Sequence, residues 1–156
     1  NELSDDFSTT FAVIKHALES NDNLNKVENV CCLYATAPFV SKDSLINSYQ
    51  KFRDSNALFC LAVTPYSSPI QRALRISKDS SLEMLNPEYT ETRSQDLDDT
   101  FHDAGQFCWG TAEAFINELP LYSRRTIPFH IPRLHSQDID SEEDWILAEA
   151  IYQATR

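Results

Sequence analysis

The sequence predicts an α/β domain built around a mostly parallel sheet. Two continuous apolar runs, residues 30–35 and 57–64, have the composition of strands that are covered on both faces. Between them lies a helical pattern that Ser41 opens and that carries Leu45, Tyr49 and Phe52. A strand, a helix and a strand joined by short links form a βαβ unit, whose crossover is right-handed. The chain has 156 residues, 42% of them hydrophobic, which is enough for one domain with its own core.

The remaining segments extend this arrangement on both sides. A first helix is predicted from Phe7, Phe11, Ile14 and Leu18, with Ser4 or Asp5 as its cap. The other predicted elements are a hairpin (74–76 with 82–85), a helix (111–119), a strand (126–131) and a closing helix with apolar Trp145, Ala148 and Tyr152. Residues 93–107 show no clear period, so this stretch is predicted to be an irregular polar segment, where binding groups are often mounted.

Composition excludes several classes of partner. The net charge of −11 disfavours binding to a nucleic-acid backbone or to an anionic membrane surface. No apolar run approaches the roughly 20 residues that a membrane-spanning helix needs, and no signal peptide leads the chain. The four cysteines lack zinc-like spacing and lie in apolar surroundings. We therefore expect buried, reduced thiols in a cytoplasmic protein.

Two residue types are scarce in informative ways. Met84 is the one methionine, so Asn1 is not a translation start and we expect the sequence to be part of a longer or processed protein. Glycine occurs at Gly105 and Gly110, against an average usage of about 7%. Because a loop that cradles phosphates needs glycine for close backbone approach, any nucleotide site in this chain is expected to be incomplete.

An acidic stretch near the C-terminus combines two signals. Residues 138–144 place five acidic side chains in seven positions. Ser141 and Asp144 have the spacing of a capping box, and the acids beside them favour a helix N-terminus. Asp138 and Asp140 precede that cap and flank Ile139, so an extended segment turns both carboxylates to one side. They are either solvated loop acids or ligands of a hard cation such as Mg²⁺, which takes carboxylate and phosphate oxygens.

The polar segment offers groups suited to a polar ligand. The guanidinium of Arg93 matches a carboxylate or phosphate, and the amides of Gln95 and Gln106 match hydroxyls and amides. The alternative is a surface turn in which Arg93 pairs with a neighbouring aspartate.

Several of these stretches resemble the acylneuraminate cytidylyltransferases, and most closely the branch that acts on pseudaminic acid. The resemblance covers essentially the whole chain, in order. The matching motifs are LSDDF at 3–7, CLYATAPF at 32–39, PIQRA at 69–73, RSQDL at 93–97, HDAGQF at 102–107 and QDIDSEEDW at 137–145.

The resemblance implies a Rossmann-like, three-layer nucleotidyltransferase fold that is incomplete at its N-terminus. Residues 1–156 would form a single cytidylyltransferase domain without the leading strand and the Gly-rich loop that grips CTP. The implied reaction joins CTP to pseudaminic acid, a nine-carbon acidic sugar, and releases pyrophosphate with the help of Mg²⁺. The resemblance also implies a homodimer in which one subunit lends side chains to its neighbour's sugar pocket.

Site residues carry over by position in the motifs. Asp138 and Asp140 match the catalytic, metal-binding carboxylates, and Arg93 and Gln95 match sugar-contacting residues. The remaining matches are Gly105 with Gln106, in the loop that lines the sugar pocket, and Thr36 with Pro38, in a strand-end turn that approaches the ligand.

The chain also departs from the sialic acid branch, which typically has QPTSP where residues 34–38 read YATAP and Asn-Gly where this chain has Ala104-Gly105. Two alternatives stay open. The sugar is sialic or legionaminic acid, or the chain is a non-catalytic sugar-binding or assembly module of the same fold.

We predict that the 156-residue chain alone binds CTP weakly and does not turn over, because it has no Gly-rich loop to hold the triphosphate. Incubation of the purified chain with CTP, Mg²⁺ and pseudaminic acid, followed by chromatography for the CMP-sugar, checks this. Detectable product would contradict it.

Overall fold

The computed structural model describes residue 3 and residues 7–20 and 26–155. Within these residues the chain forms four α-helices and six strands, with short 3-10 turns between them. Their bounds are α1 Thr10–Glu19, β1 Asn29–Leu33, α2 Lys42–Arg53, β2 Phe59–Pro65, β3 Leu74–Ile76, β4 Leu82–Met84, β5 Phe101–Thr111, α3 Ala112–Ile116, β6 Thr126–His130 and α4 Glu142–Ala154. None of the helices in this part of the chain has the length and apolar character needed to span a bilayer.

The main sheet has the strand order β1-β5-β2-β6. Strand β5 runs antiparallel to both of its neighbours, while β2 and β6 pair in parallel. Strands β1, β2 and β6 therefore point the same way and β5 points against them. The predicted βαβ unit is present as β1-α2-β2, with β5 inserted between its two strands. The α/β class is confirmed, and three of the four strands share one direction.

Helices cover both faces of this sheet. Leu61 and Ala62 are consecutive residues of β2 whose side chains enter different apolar clusters, as the alternation of a strand requires. The cluster around Leu61 includes residues of α1 and α3, and the cluster around Ala62 includes Leu45 of α2. A buried hydrogen bond from Trp109 Nε1 to Ser48 Oγ, 2.9 Å long, ties α2 to β5. The result is the three-layer arrangement expected from the resemblance.

Strand β5 differs from the sequence prediction. Residues 101–107 were expected to be irregular, yet they form the first part of an 11-residue strand at the centre of the sheet. The prediction fails here because Asp103, Gly105 and Gln106 interrupt the apolar alternation on which a strand prediction depends. Pairing with β1 and β2, which are distant in sequence, forms the strand despite its local composition.

Two helices also differ at their ends. Helix α1 is capped by Thr9, whose side chain accepts a hydrogen bond from the Ala12 N–H at 3.1 Å, and Phe7 lies before the helix, 91% exposed. The predicted caps Ser4 and Asp5 lie outside the described residues. Helix α3 ends at Ile116, before the predicted residue 119, since Glu118 adopts a positive φ of 50°.

The four cysteines are free, as predicted; Cys60 and Cys108 are buried as expected, whereas Cys31 and Cys32 are only partly buried. Burial raises the pKa of Cys31 to about 12 and that of Cys60 to about 11, and it also raises the pKa values of Cys32 and Cys108. Thiols with raised pKa values are poor nucleophiles at neutral pH. These cysteines therefore serve the packing of the sheet.

Candidate functional site

A bulge in β5 organises one end of the sheet. Leu61 of β2 pairs with Cys108 of β5, and Val63 pairs with Asp103. Four residues of β5, 104–107, therefore lie opposite the single residue Ala62 of β2. Gly105 lies in this bulge with φ of 62°, a left-handed conformation that glycine adopts without strain. The bulge lies beside the C-terminal ends of β1 and β2, where ligands gather in α/β sheets.

The segment that precedes α4 is fastened to this bulge. Ser136 Oγ donates a hydrogen bond of 3.4 Å to the carbonyl oxygen of Ala104. The side-chain amide of Gln106, which is 1% exposed, donates to the carbonyl oxygen of His135. Two side-chain to backbone contacts therefore lay residues 135–138 along β5. Gln106 was predicted to line a sugar pocket, and the structure places its amide beneath this segment.

Asp138 packs directly on Gly105. A Cβ atom added at Gly105 would lie 2.6 Å from Asp138 Oδ2, closer than any real Cβ contact. The other carboxylate oxygen, Oδ1, accepts a hydrogen bond of 3.0 Å from the N–H of Ile139. That same N–H also lies 3.2 Å from the carbonyl oxygen of Thr36. Four predicted site residues, Thr36, Gly105, Gln106 and Asp138, thus lie together at this end of the sheet.

Ile139 and Asp140 take different environments. Ile139 lines an apolar cavity of about 210 Å³ with Pro38, Phe39 and Trp145. This contact places Pro38, another predicted site residue, on the apolar side of the Thr36 turn. Asp140 is exposed, and its N–H donates to Asp144 Oδ2 at 3.3 Å. The capping box predicted for Ser141 and Asp144 is present.

Asp103 is a second carboxylate beside Gly105 that the sequence reasoning did not select. Its Oδ1 accepts a hydrogen bond of 2.9 Å from the Gly105 N–H. Burial and the negative charge of Asp138 raise the pKa of Asp103, while the Gly105 N–H and His102 act in the opposite direction. Burial and the charge of Asp103 also raise the pKa of Tyr34 to about 12. The one sequence signal for this arrangement was the Asp-Ala-Gly order, which places an acid two residues before a left-handed glycine.

The carboxylates at the bulge make no ion pair within the described residues, although His102 lies close enough to Asp103 to lower its pKa. The two ion pairs found there, Lys15–Glu118 and Arg75–Glu83, involve neither Asp103 nor Asp138. Carboxylate oxygens are the ligands that Mg²⁺ prefers. No group of three acidic, histidine or cysteine side chains in the described residues has the geometry of a complete metal site. An ion held here would fill its shell with water or phosphate oxygens, as Mg²⁺ usually does. The residues present therefore fit Mg²⁺.

Arg93 and Gln95 belong to an exposed turn that the described contacts do not join to the aspartates. Both are exposed: Arg93 caps the 3-10 turn Ser94–Asp96 and Gln95 is its middle residue, and the Asp96 N–H donates to the carbonyl oxygen of Arg93 at 3.0 Å. The turn borders a cavity of about 110 Å³ next to residues 65–69. Among the described residues, no hydrogen bond or ion pair joins either side chain to Asp138 or Asp140, and none pairs Arg93 with an aspartate. Their role as sugar contacts stays a prediction.

We predict that Gly105→Ala displaces the Asp138 carboxylate. The added methyl group would overlap Asp138 Oδ2, and alanine is strained at a φ of 62°. We expect binding of Mn²⁺, used as a paramagnetic substitute for Mg²⁺ and followed by water-proton relaxation, to weaken about 10-fold, with a loss of about 1–2 kcal/mol in the free energy of unfolding.

Gly110→Ala is the matched control. A Cβ atom there would lie 2.6 Å from the rings of Phe59 and Phe115, which belong to the apolar core cluster and not to the carboxylate site. It should lower the free energy of unfolding by about 1–3 kcal/mol and leave the Mn²⁺ affinity of the folded protein unchanged. Equal Mn²⁺ affinity in the Gly105 variant and the wild type would contradict the prediction.

Four curated relatives, from three species, match the chain in sequence. Pseudaminic acid cytidylyltransferase of Campylobacter jejuni subsp. jejuni serotype O:2 is 37% identical over 152 residues, which cover 97% of this chain and 66% of the relative. A Helicobacter pylori protein, named pseudaminic acid cytidylyltransferase and UDP-2,4-diacetamido-2,4,6-trideoxy-beta-L-altropyranose hydrolase, is 30% identical over 88% of the chain and 26% of its own length. N-acylneuraminate cytidylyltransferase of Escherichia coli O18:K1:H7 is 23% identical over 97% of the chain and 36% of its own length.

A solved structure supports the fold. The chain superposes on 4-diphosphocytidyl-2C-methyl-D-erythritol synthase from Anaerococcus prevotii with a TM-score of 0.62 and 15% identity, covering 93% of this chain and 64% of that one. No family model matches the sequence. The chain spans about 66% of the length of the Campylobacter relative. By sequence, the chain belongs to the same family as the pseudaminic acid cytidylyltransferases of Campylobacter jejuni and Helicobacter pylori.

Proposed function

We propose that this chain takes part in the transfer of a cytidylyl group from CTP to pseudaminic acid, giving the CMP-sugar and pyrophosphate. The observation that carries the proposal is the contact of Asp138 with Gly105 at the β5 bulge, where the carboxylates of Asp138 and Asp103 lie near each other and form no ion pair among the described residues. The site lies at the C-terminal ends of β1 and β2, as nucleotide-handling α/β proteins require. The names of the relatives support the choice of nucleotide and sugar.

The site residues around the bulge each have a role in this proposal. Asp138 and Asp140 hold a Mg²⁺ ion, with Asp103 adding negative charge behind them. The bound ion would supply charge stabilisation at the phosphorus centre while the anomeric hydroxyl attacks it. Gly105 permits the close approach of Asp138, and Gln106 fixes the segment that carries it. The Thr36 turn, with Pro38 on its apolar side, holds the same segment through the Ile139 N–H.

Two other functions compete with this one. In the first alternative the sugar is sialic or legionaminic acid. Measuring kcat/KM for a panel of acidic nine-carbon sugars separates these candidates. Alternatively, the chain is a binding or assembly module that keeps the fold without the chemistry. Such a module binds its sugar or partner with no metal requirement, so titrating the chain with CTP in the presence and absence of Mg²⁺ discriminates between the two.

We predict that Asp138→Asn removes the Mg²⁺ dependence of CTP binding. Removing one of two carboxylate charges lowers the affinity for a hard cation. Groups that bind or orient a metal ligand typically contribute about 10- to 100-fold each to metal affinity. Calorimetric titration should show CTP binding that Mg²⁺ strengthens in the wild type and leaves unchanged in Asp138→Asn. Asp140→Asn should give the same result.

Asp43→Asn is the control, because Asp43 is an exposed acid in the first turn of α2, away from the bulge. It should retain the full Mg²⁺ effect. In the natural protein that contains this sequence, CMP-sugar formation should fall at least 100-fold in Asp138→Asn. A Mg²⁺ effect in Asp138→Asn as large as that of the wild type would overturn the assignment of the metal site.

We further infer that the protein acts as a homodimer through the β3–β4 hairpin. Strand pairing sets Leu74 opposite Met84 and Ile76 opposite Leu82, so these apolar side chains share one face of the hairpin. Leu74 is 58%, Leu82 65% and Ile76 75% exposed in the single chain. A second copy that covers this face accounts for the apolar patch.

We predict that Ile76→Glu combined with Leu82→Glu yields a monomer, because burying two carboxylates in an apolar interface is costly. Sedimentation equilibrium measures the change, with the wild type expected as a dimer. Arg75→Gln is the control: it removes the Arg75–Glu83 ion pair on the opposite face of the hairpin and should leave the dimer intact. A monomeric wild type at micromolar concentration would contradict the inference.

A further inference from the structure

The turn that carries Asp138 and Asp140 is held by a network of hydrogen bonds around one further carboxylate, that of Asp144. Asp144 lies in the first turn of α4. Each of its two oxygens accepts hydrogen bonds from a different part of the turn. Neither this carboxylate nor the side chain of Gln137, which it contacts, is a ligand of the proposed Mg²⁺ ion.

One oxygen of Asp144 is linked to the backbone of Asp138 through a side-chain amide. The Nε2 group of Gln137 donates to Asp144 Oδ1 at 3.3 Å and to the carbonyl oxygen of Asp138 at 2.8 Å. Both bonds form at once because a primary amide has two N–H groups. The Asp138 backbone is therefore fixed relative to the start of α4, while the Asp138 carboxylate packs on Gly105.

The other oxygen of Asp144 fixes the second proposed metal ligand. Asp144 Oδ2 accepts hydrogen bonds from the N–H of Asp140 at 3.3 Å and from the N–H and hydroxyl of Ser141 at 2.9 and 2.7 Å. Together with the bond from Gln137, these donors match the roughly four lone-pair sites of a carboxylate. Asp144 is therefore engaged within the turn and is not available as a metal ligand itself.

Hydrogen bonds of this kind affect metal binding because they set the geometry of the ligands. Mg²⁺ requires a near-octahedral arrangement of oxygens at about 2.0–2.1 Å, so two carboxylates bind it together only when their backbones have a fixed relation. Groups that hydrogen-bond to the ligands and orient them typically contribute about 10- to 100-fold to metal affinity. The Ile139 N–H adds a further restraint, since it lies 3.2 Å from the carbonyl oxygen of Thr36.

We propose that Gln137 and Asp144 are positioning residues of the metal site: they set the separation of the two ligand carboxylates without contacting the cation. The inference rests on the proposed function, in which Asp138 and Asp140 hold Mg²⁺, and deepens it. It also gives Asp144 two separable roles, one at the start of α4 and one in the geometry of the metal site.

Substitutions on the two sides of Asp144 separate these roles. Gln137→Met keeps the length of the side chain and removes its two hydrogen bonds, while the capping box stays intact. Mn²⁺ binding, measured by water-proton relaxation, should weaken about 10-fold, and the thermal midpoint should stay unchanged. Ser141→Ala removes the capping hydroxyl and keeps both links from Asp144 to the metal site. It should lower the thermal midpoint by about 2–4 °C and leave the Mn²⁺ affinity unchanged.

Asp144→Ala breaks both connections and should show both losses. Because Gln137 acts in part through Asp144, the double variant should lose less Mn²⁺ affinity than the product of the two single losses. A measurement without metal tests the same network. The amide hydrogen of Asp140 should exchange faster in Asp144→Ala than in the wild type, since Asp144 is its hydrogen-bond acceptor.

Gln153→Met is the matched control, because Gln153 is an exposed glutamine in the last turn of the same helix. It should change neither the Mn²⁺ affinity nor the thermal midpoint. The inference is overturned if Gln137→Met binds Mn²⁺ like the wild type, or if Ser141→Ala loses as much affinity as Gln137→Met, since affinity would then follow helix stability alone. Loss of Mn²⁺ binding in Asp138→Asn would in either case leave the proposed function standing. A wild type that binds no Mn²⁺ would overturn the metal site and the positioning roles together.

Discussion

The contact between Asp138 and Gly105 is the constraint on which the rest of the site depends. A side chain at position 105 would occupy the space of the Asp138 carboxylate. The positive φ of Gly105 produces the bulge in β5, and the bulge exposes the backbone groups to which residues 135–138 attach. A regular strand here would keep the Asp138 segment away from the sheet. The local irregularity of one strand therefore determines where the acidic segment lies.

The acids near the C-terminus divide into two groups by their hydrogen bonds. Asp144 accepts bonds from Ser141 and from the Asp140 N–H, and these bonds lower its pKa. Its oxygens are occupied by these bonds, so its role is to fix the helix and the turn before it. Asp138 accepts one backbone bond through Oδ1, and its Oδ2 packs against Gly105. Asp138 and Asp144, which are close in sequence, therefore have different roles, and the hydrogen-bond partners of each carboxylate distinguish them.

Local sequence determined the elements whose signals lie within a few residues of one another. The cap at Ser41, the capping box of Ser141 with Asp144 and the β3–β4 hairpin follow from side chain to backbone bonds and turn geometry, and the structure has all three. The pairing of β5 between β1 and β2 and the approach of Asp103 to Asp138 were decided by tertiary structure alone. These features join residues far apart in the chain, and a pattern read along the sequence contains no information about such distances.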